Sequence, residues 1–250
     1  MRADLYLVEK GVAKSRKKAQ DMINEGIVYV DGIKLTKPSK NIDDAEIDIR
    51  GEVMPYVSRG GLKLKGAIDS FRIDVKDKIC LDVGASTGGF TDCLLQEGAL
   101  KVYAVDCGHG QLDADLAKNV SVISIEGCNA RDISREIIPE MIDVCVMDVS
   151  FISQTLIHPV LPNILNKHAE FITLIKPQFE VGKINIGKNG IVKDEKARKS
   201  AVENVIESAK ACGFEFIDII TSPIKGGDGN TEFIGRFRYE GCCNSQQTKG

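Results

Sequence analysis

The feature that most constrains this chain is a recurring pattern that begins near residue 60. Uninterrupted apolar runs at 78–83, 101–106, 120–125, 142–148 and 170–175 alternate with segments of helical character at 88–97, 111–118, 131–138, 153–165 and 194–212. A strand that is apolar on both sides must be covered on both faces, and parallel neighbours need a long crossover between them. The pattern therefore predicts a doubly wound, mostly parallel α/β sheet wrapped by helices. The last helix stops at Gly213, and the following runs "FEFIDIITS" and "TEFIGRFRY" are joined by "PIKGGDGN". That loop is too short for a crossover helix, so the final pair is expected to be antiparallel.

Residues 1–50 follow a different rule. "RADLYLV" puts Leu5 and Val8 on one helical face, and a second helix is expected to start behind Ser15, a good N-cap, and run through "RKKAQDMINE" to Gly26. "IVYV", a turn at Asp31 and Gly32, and "IKL" form a hairpin signal, and "NIDDAEIDIR" holds one more short strand. This is a small α+β module. Residues 51–60, rich in Gly, Pro and polar types, are expected to be a linker to a domain over 61–241, with a disordered tail at 242–250.

A net charge of −3 conceals a local asymmetry, because residues 1–40 carry nine Lys or Arg against five Asp or Glu. The eight cysteines form no C-x-x-C pair and most lie in apolar runs, which is reduced, intracellular usage. None of the three histidines (His109, His158, His168) has a Cys or His at ligand spacing, so no metal site is expected. No run approaches the ~20 apolar residues that span a bilayer, and "MRADLYLVEKG" lacks a secretory apolar core. The expectation is a soluble cytoplasmic protein that does not use a membrane.

In an open α/β sheet the ligand lies beyond the carboxyl ends of the strands, and here the first such loop is "ICLDVGASTGGFT". A triphosphate loop would end in Gly-Lys-Ser/Thr, but Gly89 is followed by Phe90. A dinucleotide loop would read G-x-G-x-x-G, whereas this one runs from Gly84 through Ser86 to Gly88 and Gly89, with the acid Asp82 before it. An acid there repels a pyrophosphate and suits an amino group. Asp106 ends the second strand, where a carboxylate can accept both hydroxyls of a ribose. An amino acid bearing a cation, joined to a ribose without phosphates, describes S-adenosylmethionine. The antiparallel closing strand points the same way, being more typical of methyltransferases than of dehydrogenases.

Four ionisable residues fall at strand ends or beside the sheet: Lys63 in "SRGGLKL", Asp148 in "VCVMDVSF", Lys176 in "FITLIKPQFE" and Glu232 in "NTEFIG". An alcohol attacks a sulfonium methyl only with a base and in-line alignment. A lysine serves as base when burial or a second cation lowers its pKa, and Lys176 facing Lys63 would meet both conditions, with Asp148 and Glu232 orienting the ammonium groups. Taken singly, each of these residues also fits a snorkelling lysine or a capping acid.

Together, "SRGGLKL", "DVGASTGGFTD", "DCGHGQL", "NARD", "MDVSFIS", "IKPQFEVGK" and "GGDGNTEF" resemble the TlyA family of ribosomal RNA 2′-O-methyltransferases, related to the FtsJ class and historically called haemolysins. The resemblance covers nearly the whole chain. It implies a Rossmann-like class I methyltransferase domain behind an RNA-binding module of the ribosomal small-subunit-protein type. It implies a tetrad on Lys63, Asp148, Lys176 and Glu232, cofactor contacts on Asp82, Gly84, Ser86, Gly88, Asp106 and Asn129, and a cytidine ribose in ribosomal RNA or ribosomal subunits as substrate. The chain departs from the family pattern at His109, where an aromatic is usual.

The basic residues Lys14, Arg16, Lys17 and Lys18 cluster at the start of the second helix, and Arg59 and Lys65 extend positive charge toward the active edge, so an RNA backbone track is expected. A membrane-lytic protein would need a long apolar or strongly amphipathic basic segment, which the sequence lacks. A non-catalytic RNA-binding protein with a decayed methyltransferase fold would not keep the expected residue type at all four tetrad positions. Methylation of a protein or small molecule is disfavoured by the N-terminal module and by the missing Asn-Pro-Pro-Tyr type signature.

Overall fold

A computed structural model describes residues 1–51, 54–182, 186–187, 190–227 and 229–241; the tail expected to be disordered lies outside them. The chain divides into two compact units, Met1–Pro55 and a larger one from Tyr56 onward.

In the first unit, α1 (Ala3–Glu9) and α2 (Arg16–Glu25) pack on a three-stranded antiparallel sheet of order β2 (Ile33–Lys34), β1 (Val28–Val30), β3 (Ile47–Ile49). Local chemistry sets α2: Ser15 Oγ accepts from the Lys18 amide at 3.2 Å, and Gly26 closes the helix in the left-handed conformation. Leu7, Ala19, Met22, Ile23 and Val28 form a fully buried core. Asp4, also fully buried, accepts from Arg2, Arg16 and Gln20.

The second unit begins with α3 (Gly60–Phe71), a helix that composition hides because three glycines lie within it. They are packing residues: a side chain at Gly61 would collide with the Tyr56 ring, and one at Gly66 would come within 2.9 Å of Pro223. Then follow β4 (Ile79–Val83), α4 (Gly89–Gln96), β5 (Lys101–Val105), α5 (Ala114–Ala117), β6 (Val122–Ile125), β7 (Ile142–Met147), β8 (Leu165–Ile175), the single turn α6 (Pro177–Glu180), α7 (Glu195–Ala211), β9 (Phe214–Thr221) and β10 (Phe233–Tyr239).

The sheet order is β6-β5-β4-β7-β8-β10-β9. The five strands from β4 to β8 are parallel, and β10 runs antiparallel to both β8 and β9. The chain leaves β4 toward one edge and returns at β7, so the switch point lies where the β4 and β7 loops emerge. One apolar layer, with Leu81, Tyr103, Cys145, Met147 and Phe171, covers one face of the sheet, and another, with Leu64, Phe71, Leu94, Val146 and Ile172, covers the other.

Two expected helices are absent. Residues 131–138 give one short 3-10 turn (Ala130–Asp132), and 153–165 give two 3-10 segments, Gln154–Leu156 and His158–Asn163. Pro159 and Pro162 lack the amide that an α-helix interior requires, and Pro139 closes the other segment. The segment expected at 111–118 contracts to Ala114–Ala117, and the fifth apolar run is longer than expected, beginning at Leu165.

His158 is buried with its ring edge-on to Phe171 and Nδ1 2.9 Å from Ser208 Oγ, and burial lowers its pKa to about 4. The unfolded chain binds this proton near pH 6.5 and the folded one does not, so stability falls as pH drops from ~6.5 toward 4, by about 3 kcal/mol from this group. In a pH series of thermal midpoints, His158→Phe should flatten the acid limb relative to the parent protein.

Candidate active site

The glycine bend after β4 owes its residues to close approach. Gly84 has φ 85°, and a Cβ there would lie 2.6 Å from the Asp148 carbonyl oxygen on the neighbouring β7 loop. Gly88 has φ 93° and caps α4, and a side chain on it would strike Leu116. Asp82 stands lower, within β4 and fully buried: Oδ2 accepts from Thr91 Oγ1 at 2.7 Å, while Oδ1 has no donor among the described residues. Burial pushes its carboxyl up to about 7 and the Thr91 hydrogen bond pulls it back.

Two cavities open on this bend. The first, about 450 Å³, is lined by Gly84, Ser86, Asp106, Gln111 and Asn129, with Val105, Val149 and Ile152 as apolar wall. The Asp106 carboxylate accepts the Ser86 amide on Oδ2 at 2.8 Å and the Gly108 amide on Oδ1 at 2.7 Å. Each oxygen keeps a lone pair for another donor. Asn129 Oδ1 accepts from the Arg131 amide and side chain. His109 packs over Gly127 and is not part of this lining.

The second cavity, about 320 Å³, shares Gly84, Ser86, Asp148 and Ser150 with the first. Lys63 and Lys176 project into it, each nine-tenths buried. Lys63 Nζ lies 2.6 Å from Glu232 Oε2. Lys176 Nζ lies 2.6 Å from Asp148 Oδ1 and donates to Ser150 Oγ at 2.8 Å. Sheet register explains the gathering: β7 and β8 are parallel neighbours followed directly by Asp148 and Lys176, and Phe233 of β10 pairs with Ile175, setting Glu232 beside Lys176 in sequence register. Buried charges of this kind persist only when paired.

The structure thus brings all four tetrad positions together, and it brings Gly84, Ser86, Asp106 and Asn129 to one cavity wall. Asp82 and Gly88 support the bend from behind and line neither cavity. Sequence reasoning missed Ser150, Gln111, Ser58 and Lys225, which line the cavities. Ser150 lies within the quoted "MDVSFIS", so its closeness to Asp148 was the available signal.

The basic residues are placed less uniformly. In the first unit Lys14 is exposed, Arg16 is tied to Asp4 at 2.9 Å, Lys17 pairs with Asp21 at 2.9 Å, and Lys18 donates to the Met54 carbonyl at 2.5 Å. In the second unit Arg59 is exposed at the second cavity, whereas Lys65 is held by Asp69 and Glu97 at 2.8 and 3.0 Å and lines neither cavity.

A seven-stranded sheet of this order, with an antiparallel penultimate strand and a ligand-sized cavity at the switch point, defines a class I methyltransferase fold. A family model described as FtsJ-like methyltransferase matches residues 56–239, and an S4 domain model matches residues 1–47. The chain belongs to the FtsJ-like methyltransferase family. It is similar to Hemolysin A of Brachyspira hyodysenteriae, at 46% identity over 95% of this chain and 99% of that one. It is also similar to the 16S/23S rRNA (cytidine-2'-O)-methyltransferase TlyA of Mycobacterium tuberculosis, at 40% identity over 93% of this chain and 88% of that one. A solved structure from Streptococcus thermophilus, described as a hemolysin, superposes with a TM-score of 0.76 at 40% identity, covering 96% of this chain and 88% of that one.

Proposed function

We propose that this protein transfers the methyl group of S-adenosylmethionine to the 2′-hydroxyl of a cytidine in ribosomal RNA. The observation that carries the reading is the pair of buried lysine–carboxylate contacts, Lys63 with Glu232 and Lys176 with Asp148, on a cavity that shares a wall with the Asp106 cavity. The relative named as a cytidine-2'-O-methyltransferase supports the choice of nucleoside.

The first cavity suits the cofactor. Its apolar wall can face an adenine ring, the open lone pairs of Asp106 can accept ribose hydroxyls, and the sharp bend at Gly84 lets a ligand approach the backbone. When bound, S-adenosylmethionine supplies an electrophilic methyl on a sulfonium sulfur. Lys176, as the free amine, would take the proton of the ribose hydroxyl whose oxygen receives that methyl. Asp148 then faces the ammonium so formed, and Ser150 fixes the position of Nζ before the step. Lys63, held by Glu232, orients the hydroxyl.

The test is incubation of the purified protein with labelled S-adenosylmethionine and unmethylated ribosomal subunits, followed by mapping of ribose methylation. Label confined to one cytidine 2′-oxygen, and absent with a Lys176 variant, is the expected result; label on base or protein overturns the reading. A cytoplasmic location goes with this substrate. The relative named as a hemolysin raises a membrane-acting alternative, and among the described residues no helix is long and apolar enough to cross a membrane.

The N-terminal unit is proposed to hold RNA backbone through Lys14, Arg16, Lys17 and Lys18. Charge reversal at Lys14 and Lys17 together, which leaves the Arg16–Asp4 contact intact, should weaken RNA binding and lower the slope of log Kd against log salt by about one to two, with cofactor affinity unchanged. Equal slopes for parent and variant would remove these residues from the RNA track.

A further inference from the structure

We propose that Glu180 is a positioning residue for this site: its carboxylate bridges the chain after Lys176 to the chain after Asp148, and so fixes Asp148 and Ser150 against the Lys176 amine. The inference rests on the reading of Lys176 as the base.

Glu180 lines neither cavity, so any effect on the reaction must pass through other residues. It ends α6, four residues beyond Lys176. Its Oε2 accepts from Ser153 Oγ at 2.5 Å and its Oε1 accepts from the Gln154 amide at 3.0 Å. Gln154, 1% exposed, makes the second half of the tie: its Oε1 accepts from Thr173 Oγ1 at 2.6 Å, and its Nε2 donates to the Leu174 carbonyl at 3.4 Å. Thr173 and Leu174 precede Lys176 on β8. The β7 loop is therefore bound to the Lys176 segment on both sides of that lysine.

What this tie restrains is a loop under backbone strain. Phe151, between Ser150 and Ile152, has φ 63°, a conformation that a bulky side chain keeps only when its surroundings impose it. The Phe151 ring is 91% exposed, with a tilted contact to Phe179 at 5.1 Å, so burial of the ring contributes little to holding the turn. The restraint must come from the flanks. Asp148 and Ser150 lie on one flank, and the contacts made by Glu180 anchor the other.

The experiment uses the full chain. Glu180→Ala should lower kcat by roughly 10- to 100-fold through misplacement of the base, change KM for RNA little, and shift the pH–rate profile as the Lys176–Asp148 contact loosens. Glu180→Gln, whose carbonyl can accept the Gln154 amide and whose amide can donate to Ser153 Oγ, should recover most of the rate. Ser153→Ala should shift the profile in the same direction, and combining it with Glu180→Ala should add little to Glu180→Ala alone. Amide exchange across residues 148–152 should rise in Glu180→Ala whether or not turnover is measured. Parent-like kcat, pH profile and exchange in Glu180→Ala would overturn the proposal. So would a loss that follows only the thermal midpoint and is not rescued by glutamine. If instead the parent protein and Lys176→Ala are equally inactive on ribosomal RNA, the proposed function fails, while the exchange result still decides the role of Glu180.

Discussion

Lys176→Ala is expected to lower methyl transfer by roughly 10²- to 10⁴-fold, the usual contribution of a positioned base, while the Kd for S-adenosylmethionine stays within a few-fold of the parent value. The two readouts separate because Lys176 lines the second cavity and not the one that holds Asp106 and Asn129. Lys176→Arg sharpens the result. A guanidinium can still meet Asp148 but does not deprotonate in proteins, so a base predicts that the arginine variant is as inactive as alanine. A purely electrostatic role predicts partial recovery. Single-turnover rates and isothermal titration on the same preparations decide between them, and retained turnover in Lys176→Ala would remove it as base.

The second large effect concerns the N-terminal unit. Asp4 has no exposed surface and gathers Arg2, Arg16 and Gln20, with contacts of 2.9, 2.9 and 2.7 Å to Oδ2 and a further 3.0 Å bond from Arg2 to Oδ1. Removing the carboxylate takes away the one acceptor that ties Arg2, Arg16 and Gln20 together in a unit with a small core, where burial leaves little reserve. Asp4→Ala should raise the opening of Met1–Pro55 roughly 100-fold, seen as lost hydrogen-exchange protection there, with protection from Tyr56 onward unchanged. The Arg2 hydrogen bonds hold the Asp4 carboxyl well below the usual carboxylate range, against the opposing effect of burial. The sign follows: a depressed folded pKa means that the stabilisation is complete above ~pH 4 and is lost only as pH falls through the folded value. Protection of this unit should therefore hold at mildly acidic pH, where protonation of His158 already weakens the larger unit.

The sequence alone settled what depends on neighbours along the chain. Ser15 and Gly26 bound α2 because a hydroxyl and a left-handed glycine satisfy orphan backbone groups within one turn. Asp31 and Gly32 turn the hairpin, and the doubly apolar strands demanded a sheet covered on both faces. The absence of a lysine after Gly89 and the acid at the end of β5 narrowed the ligand, and the family resemblance supplied the tetrad.

Tertiary structure decided the rest, because those energies come from residues distant in sequence. Gly60 reads as the end of the linker, and only the fold shows why Gly61 and Gly66 stand in a helix: Tyr56 and Pro223 occupy the space that side chains there would need. Which carboxylate each lysine takes follows from strand order: β10 inserts beside β8 and carries Glu232 to Lys63, 169 residues away, while the parallel pairing of β7 and β8 gives Lys176 to Asp148. Lys65, read as part of a basic track, is bound to Glu97, which follows α4. Local pattern fixes what a segment can form at low cost; only packing across the sheet determines which charges are desolvated together, and on that pairing the chemistry depends.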